Sequence, residues 1–183
     1  MRSPADRCAK CGCATPDDGG SAMARRTLIA YYSMTGNTRK IADELRTAMG
    51  ADCEEIHEPR ARRGVGGVLR AMVDTLARRE PPIEPVQRDP LDYDLLVLGG
   101  PVWAGRIAAP MRTYAHRYGA LAPEVAFFCT EGGRGAEGAF AELEEFCRHA
   151  PKATLVLDAE HMEASAHRDS LQRFAATAHP AAH

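Results

Sequence analysis

The chain has 183 residues, with 23 Lys plus Arg against 25 Asp plus Glu for a formal charge of -2, and it is 45% apolar and 26% charged. This suits one domain of ordinary size and excludes both a basic nucleic-acid binder and a wholly disordered chain. No apolar run approaches the roughly 18 residues that cross a bilayer, and the opening MRSPADRCAKCGC lacks the apolar core of a signal peptide. The expectation is a cytoplasmic protein with no membrane insertion and with reduced thiols, because its six cysteines do not form a secreted disulfide framework.

Residues 1–26 contain Pro4, Pro16, Asp17, Asp18, Gly19, Gly20 and Ser21 and few apolar side chains, which predicts a disordered N-terminal extension. It carries Cys8, Cys11 and Cys13, one ligand short of a closed zinc site, so no metal site is expected. A folded domain is expected over 27–183. Leu28 to Tyr32 reads as a strand, followed by a helix with Ile41, Leu45, Ala48 and Met49 on one face. Residues 52–57 form a weak, polar strand suited to a sheet edge. Val65, Val68, Leu69, Met72, Val73 and Leu76 then mark an amphipathic helix, with Arg63, Arg70, Asp74 and Arg78 elsewhere on the wheel.

Pro81, Pro82, Pro85 and Pro90 impose an extended connection. Asp94 to Gly99 reads as a buried strand, and Pro110 opens a helix bearing Met111, Tyr114, Ala115 and Tyr118. Val125 to Cys129 and Thr154 to Asp158 read as two further buried strands. The helical faces after them are Phe140, Leu143, Phe146 and Cys147, then Leu171, Phe174, Ala175 and Ala178. Strict alternation of five strands and five helices predicts an α/β fold, a parallel sheet with helices on both faces. Ligands of such sheets sit beyond the carboxyl ends of the strands.

Three loops lie at those ends. Ser33, Met34, Thr35, Gly36, Asn37 and Thr38 open a helix and offer hydroxyls, an amide and free backbone N–H groups, which suit a phosphate; the same composition also serves as an ordinary capped turn. There is no Gly-Lys-Ser/Thr triplet, which argues against a nucleoside triphosphatase. The second loop, Gly99 to Arg106, holds the single tryptophan, Trp103, placed either to stack on a flat ligand or to fold back on the core. Four glycines in the nine residues from Thr130 to Gly138 let backbone approach a ligand, as they also would in a mobile surface loop. No catalytic triad or metal-ligand spacing stands out among the remaining residues.

Together, YYSMTGNTRKIADEL, YDLLVLGGPVWAG and FFCTEGGRG resemble the phosphate loop and the two flavin-side loops of the flavodoxin family. The resemblance implies a flavodoxin-like three-layer fold with a five-stranded parallel sheet in the order 2-1-3-4-5 and one noncovalent FMN. It implies that Ser33, Thr35 and Thr38 give hydroxyls, and Met34, Gly36 and Asn37 backbone N–H groups, to the FMN phosphate. Pro101, Val102, Trp103, Ala104 and Gly105 would line one side of the flavin ring, and Thr130, Gly132, Gly133 and Gly135 the other.

The function so implied is electron transfer through the flavin to a redox partner protein. The alternatives are an NAD(P)H-dependent quinone or flavin reductase using a small electron acceptor, and a non-redox signalling or interaction module that has lost flavin. Ala104 departs from the family, which places a glycine after the loop aromatic so that the peptide can turn over toward the reduced flavin. A Cβ there is expected to resist positive φ.

Overall fold

Each apolar run becomes a strand whose side chains alternate between two packed faces. The computed structural model describes residues 25–59, 64–158 and 165–178; the Cys8, Cys11 and Cys13 cluster lies outside them. In chain order the elements are β1 (Thr27–Tyr31), α1 (Asn37–Met49), β2 (Asp52–Glu55), α2 (Gly64–Leu76), β3 (Leu95–Trp103), β4 (Arg106–Ile107) and α3 (Ala109–Tyr118). They continue with β5 (Glu124–Glu131), α4 (Ala136–Cys147), β6 (Thr154–Asp158) and α5 (Ser165–Ala178).

The parallel strands run in the order β2-β1-β3-β5-β6, the expected 2-1-3-4-5. One element is additional: β4 pairs antiparallel with the end of β3, Val102 opposite Ile107 and Trp103 opposite Arg106. On one face of the sheet Leu96, Leu98, Val125 and Phe127 pack with Met111, Tyr114 and Leu143 from α3 and α4. On the other, Ile29, Val97, Ala126 and Phe128 pack with Ile41, Leu45, Leu171 and Phe174 from α1 and α5. Each fully buried side chain of this size contributes about 1.5–3 kcal/mol, so the sheet centre is a rigid platform for the loops at its end.

Three details correct or extend the sequence reading. Strand β6 is not buried on both faces: it lies at the sheet edge and alternates exposed and buried, with Val156 44% exposed. Strand β2 lies at the other edge of the sheet, as expected, and the proline-rich connection runs beside it, where Glu84 N–H donates to His57 O at 2.8 Å and Gln87 N–H to the buried Glu54 carboxylate at 2.8 Å. Helix α2 forms where expected, but Val68, Leu69, Met72, Val73 and Leu76 are exposed, and among its described side chains Ala71, Asp74 and Thr75 are the buried ones.

A buried ion pair joins two helices on the first face. Arg112 of α3 is 1% exposed, and its Nε and one terminal nitrogen donate to Glu142 of α4 at 2.9 and 3.1 Å. The same guanidinium donates to the Arg79 carbonyl at 3.3 Å, tying the end of α2 to this pair.

Candidate functional site

The carboxyl ends of β1, β3 and β5 lie side by side, because Tyr31 is in register with Gly99, and Pro101 with Thr130. The loops that follow therefore converge. The first turns sharply into α1: Gly36 takes φ +94°, a conformation costly to any residue with a Cβ, and occupies the helix N-cap. Ser33 Oγ accepts from the N–H groups of Gly36 at 3.1 Å and Arg39 at 3.3 Å, which holds the turn closed. Thr35 is exposed, Asn37 half-buried and Thr38 buried. Met34 packs its side chain against the core, leaving its backbone to the loop.

No acidic residue occupies the first turn of α1, so the partial positive charge of the helix terminus is not neutralised there. Arg39 in that turn is engaged by Glu55, its Nε and a terminal nitrogen donating at 3.0 and 2.6 Å. Burial, and then the Glu55 charge, push the neighbouring Tyr31 phenol up to about 12, so it stays neutral at physiological pH.

Thr38 Oγ1 lies 3.0 Å from Thr130 Oγ1, both residues buried, and this bond ties the first loop to the third. A hydroxyl donates once and accepts twice, so this pair retains capacity for a further partner.

The second loop is a two-residue hairpin between β3 and β4. Its central residues, Ala104 and Gly105, take φ +50° and +74°, the sign pattern of a type I′ turn. Ala104 thus adopts the positive φ that its Cβ was expected to resist, because strand twist on both sides favours the primed turn. Trp103 belongs to β3 and is half-buried against the core, with its ring perpendicular to Tyr32 at 6.5 Å between centroids. Val102 is buried, while Pro101 is half-buried and its carbonyl accepts from Ala108 N–H at 3.1 Å.

The third loop places Gly132 and Gly133 in the open, with space around the position of any Cβ. Gly135 instead faces the hairpin tip, where a Cβ would lie 2.4 Å from the Gly105 Cα. A cavity of about 550 Å³ opens beside this contact, bordered by Gly105, Glu131, Gly133, Gly135 and Val156. Glu131 escaped the sequence reading. One of its carboxylate oxygens is buried with no hydrogen-bond partner among the described residues, and the available signal was an acid ending an apolar strand just before a glycine run.

Cys129, near the same end of β5, is fully buried, and burial followed by Glu131 pushes its thiol up to about 12; it is therefore inert as a nucleophile. Among the described residues no cluster of three His, Cys, Asp or Glu side chains is placed to hold a metal, and no helix is long and apolar enough to cross a membrane.

An open, doubly wound parallel sheet with three loops meeting at its carboxyl edge defines an α/β protein with its ligand crevice at that edge. The family model described as Flavodoxin matches residues 26–177, and the chain belongs to the flavodoxin family. No curated protein matches the chain.

Among solved structures, a flavoprotein in complex with FMN from Lactobacillus acidophilus NCFM is 24% identical with a TM-score of 0.63, covering 75% of this chain and 95% of its own. The apo-form of the flavoprotein from the same organism is 25% identical with a TM-score of 0.55, over 75% of this chain and 95% of its own. Oxidised Flavodoxin 2 from Bacillus cereus is 19% identical with a TM-score of 0.52, covering 83% of this chain and 96% of its own.

Proposed function

We propose that the chain binds FMN noncovalently at the carboxyl ends of β1, β3 and β5 and passes electrons through it to a redox partner protein. The observation that carries this reading is the convergence of the three loops, tied by the Thr38–Thr130 bond, in a chain of the flavodoxin family. The donor set fits FMN. Ser33, Thr35 and Thr38 supply hydroxyls and Met34, Gly36 and Asn37 backbone N–H groups to the phosphate, at a helix terminus free of acidic residues. The hairpin from Pro101 to Gly105 lines one side of the ring, and Thr130, Gly132, Gly133 and Gly135 line the other. The bound flavin supplies the redox chemistry; the protein binds it, orients it and limits its exposure to water.

The test is FMN titration of Thr35→Val combined with Thr38→Val, with Thr47→Val, at an exposed position of α1 outside the three loops, as the control for the substitution itself. Hydroxyl bonds to a charged acceptor contribute about 1.5–3 kcal/mol each, so the double variant should bind FMN at least tenfold more weakly than the control. Affinity within twofold of wild type would place the phosphate elsewhere.

A second reading, an NAD(P)H-dependent quinone or flavin reductase, is favoured by the exposure of Gly132 and Gly133, which put no side chain between that side of the site and a small acceptor. Rapid NADPH oxidation by the purified protein with a quinone and no partner protein would identify it.

A further inference from the structure

Three side chains lead from the hairpin to the surface. Trp103, the single tryptophan of the chain, ends β3 at the hairpin and is half-buried. Its ring meets that of Tyr32 at right angles, 6.5 Å between centroids, and both pack into the core on the α3 and α4 face of the sheet. Tyr32 is fixed one residue past β1, where its N–H donates to Gly99 O at 3.0 Å, and it is 6% exposed. Its hydroxyl donates to Glu58 Oε2 at 3.4 Å. Glu58 is half-buried and borders a surface cleft of about 260 Å³ with Arg70, Pro81 and Pro82.

Indole and phenol both give up single electrons to strong oxidants, but at neutral pH a phenol does so only as its proton leaves. A tyrosine can therefore take over an oxidising equivalent only where a base lies within hydrogen-bond reach of its hydroxyl. Tyr32 has both a tryptophan ring and a carboxylate beside it. Tyr114, in the same core, buries its hydroxyl with no partner among the described residues. Tyr31 bonds to Glu55 but belongs to the core on the opposite face of the sheet from Trp103.

We propose that Trp103, Tyr32 and Glu58 form a relay that carries an oxidising equivalent from the flavin crevice to the surface. A one-electron oxidant at the crevice, photoexcited flavin on the reading above, is reduced by one electron taken from the Trp103 indole. Tyr32 then gives one electron to Trp103, restoring the indole, while the phenolic proton passes to the Glu58 carboxylate. A small reductant in solution, a thiol or ascorbate, returns the electron to Tyr32 and Glu58 returns the proton, so all three side chains end as they began. The direction is set because a phenol that hands its proton to a carboxylate is oxidised more easily at neutral pH than an indole. The oxidant's place beside Trp103 rests on the FMN reading; the transfer from Trp103 to Tyr32 needs no flavin.

The probe is the azide radical, generated by a radiolysis pulse in azide solution and acting on the full-length chain without FMN. In wild type the tryptophan-radical absorbance should decay as the tyrosine-radical absorbance rises, at a first-order rate independent of protein concentration. Tyr32→Phe keeps the ring and its packing, and Glu58→Gln still accepts a hydrogen bond but takes no proton. Each should slow the decay at least tenfold while FMN uptake, read by absorbance, is unchanged. A decay at the wild-type rate in either variant, or a transfer whose rate rises with protein concentration, overturns the proposal. With FMN bound under blue light, peptide mass spectrometry should find Trp103 oxidised severalfold faster in Tyr32→Phe than in wild type, and equal damage likewise overturns it. Failure of the flavin reading registers separately, as absence of FMN uptake by wild type, because the radical transfer is read without flavin.

Discussion

Gly105 and Gly135 meet backbone to backbone: a Cβ built on Gly135 would lie 2.4 Å from the Gly105 Cα and 3.0 Å from its nitrogen. One α4 turn later, Gly138 lies under the Gly105 carbonyl, where a Cβ would come within 2.7 Å. The two flavin-side loops are thus fixed against each other through the absence of side chains. Gly135 also holds φ +131°. Gly135→Ala should push the hairpin away and lower stability by about 1–3 kcal/mol, read as a fall in thermal midpoint of several degrees. FMN affinity should fall with it, whereas Gly132→Ala, in open space, should change both far less.

How much of this was legible in the sequence depends on the scale of the feature. The strands announced themselves as apolar runs, and the Ser33–Thr38 and Thr130–Gly138 loops followed because ligand loops trail the strands. Strand β4 was invisible, since two residues carry no periodicity and Ala-Gly is a weaker hairpin signal than Asn-Gly. Periodicity showed that α2 has an apolar stripe but not which way it faces; that is decided by Ala71, Asp74 and Thr75 fitting against the protein. The burial of Arg112 was equally hidden, because its partner Glu142 is 30 residues away.

The hairpin residue Ala104 stores strain that glycine would release. A left-handed conformation costs a residue with a Cβ about 1–2 kcal/mol, partly offset by the greater entropy of glycine in the unfolded chain. Ala104→Gly should therefore raise stability by about 0.5–1 kcal/mol, seen in urea as a higher midpoint at an unchanged slope. A lower midpoint would show that the turn is not strained at this position.

The Arg112–Glu142 pair gives an asymmetric prediction. Glu142→Ala leaves a guanidinium buried without its carboxylate and should cost about 3–5 kcal/mol, whereas Arg112→Met with Glu142→Leu should recover much of that loss. Denaturant melts of the wild type and both variants measure the difference. Equal destabilisation by the two would show that the bonds from Arg112 to the Thr75 and Arg79 carbonyls matter more than the ion pair.

We propose that the flavin domain is residues 27–183 and that residues 1–22 are dispensable for it, since every loop assigned to the cofactor lies later in the chain. A chain beginning at Met23 should melt within about 2 °C of the full-length protein and take up the same FMN. Stoichiometric zinc or iron in the full chain, with loss of FMN uptake on truncation, would refute this.

The last prediction concerns alkaline pH. Cys129 and Cys147 are fully buried, and burial raises both thiols from 9.0 to about 12, with Glu131 adding to the effect at Cys129. In the unfolded chain these thiols ionise near pH 9 while in the folded chain they remain protonated, so above pH 9 the native state binds more protons. Stability is fully present below pH 9 and is lost as pH rises from 9 toward 12, at up to about 1.4 kcal/mol per pH unit for each thiol. Tyr31, raised from 10.0 to about 12 chiefly by burial, steepens the loss above pH 10. Urea midpoints measured from pH 8 to 11 should fall steeply above 9. Cys129→Ala with Cys147→Ala should be less stable at pH 8, through lost packing, yet lose less on going to pH 11. A wild-type midpoint that stays level across this range would mean that the thiols ionise equally in both states and that water reaches them in the folded protein.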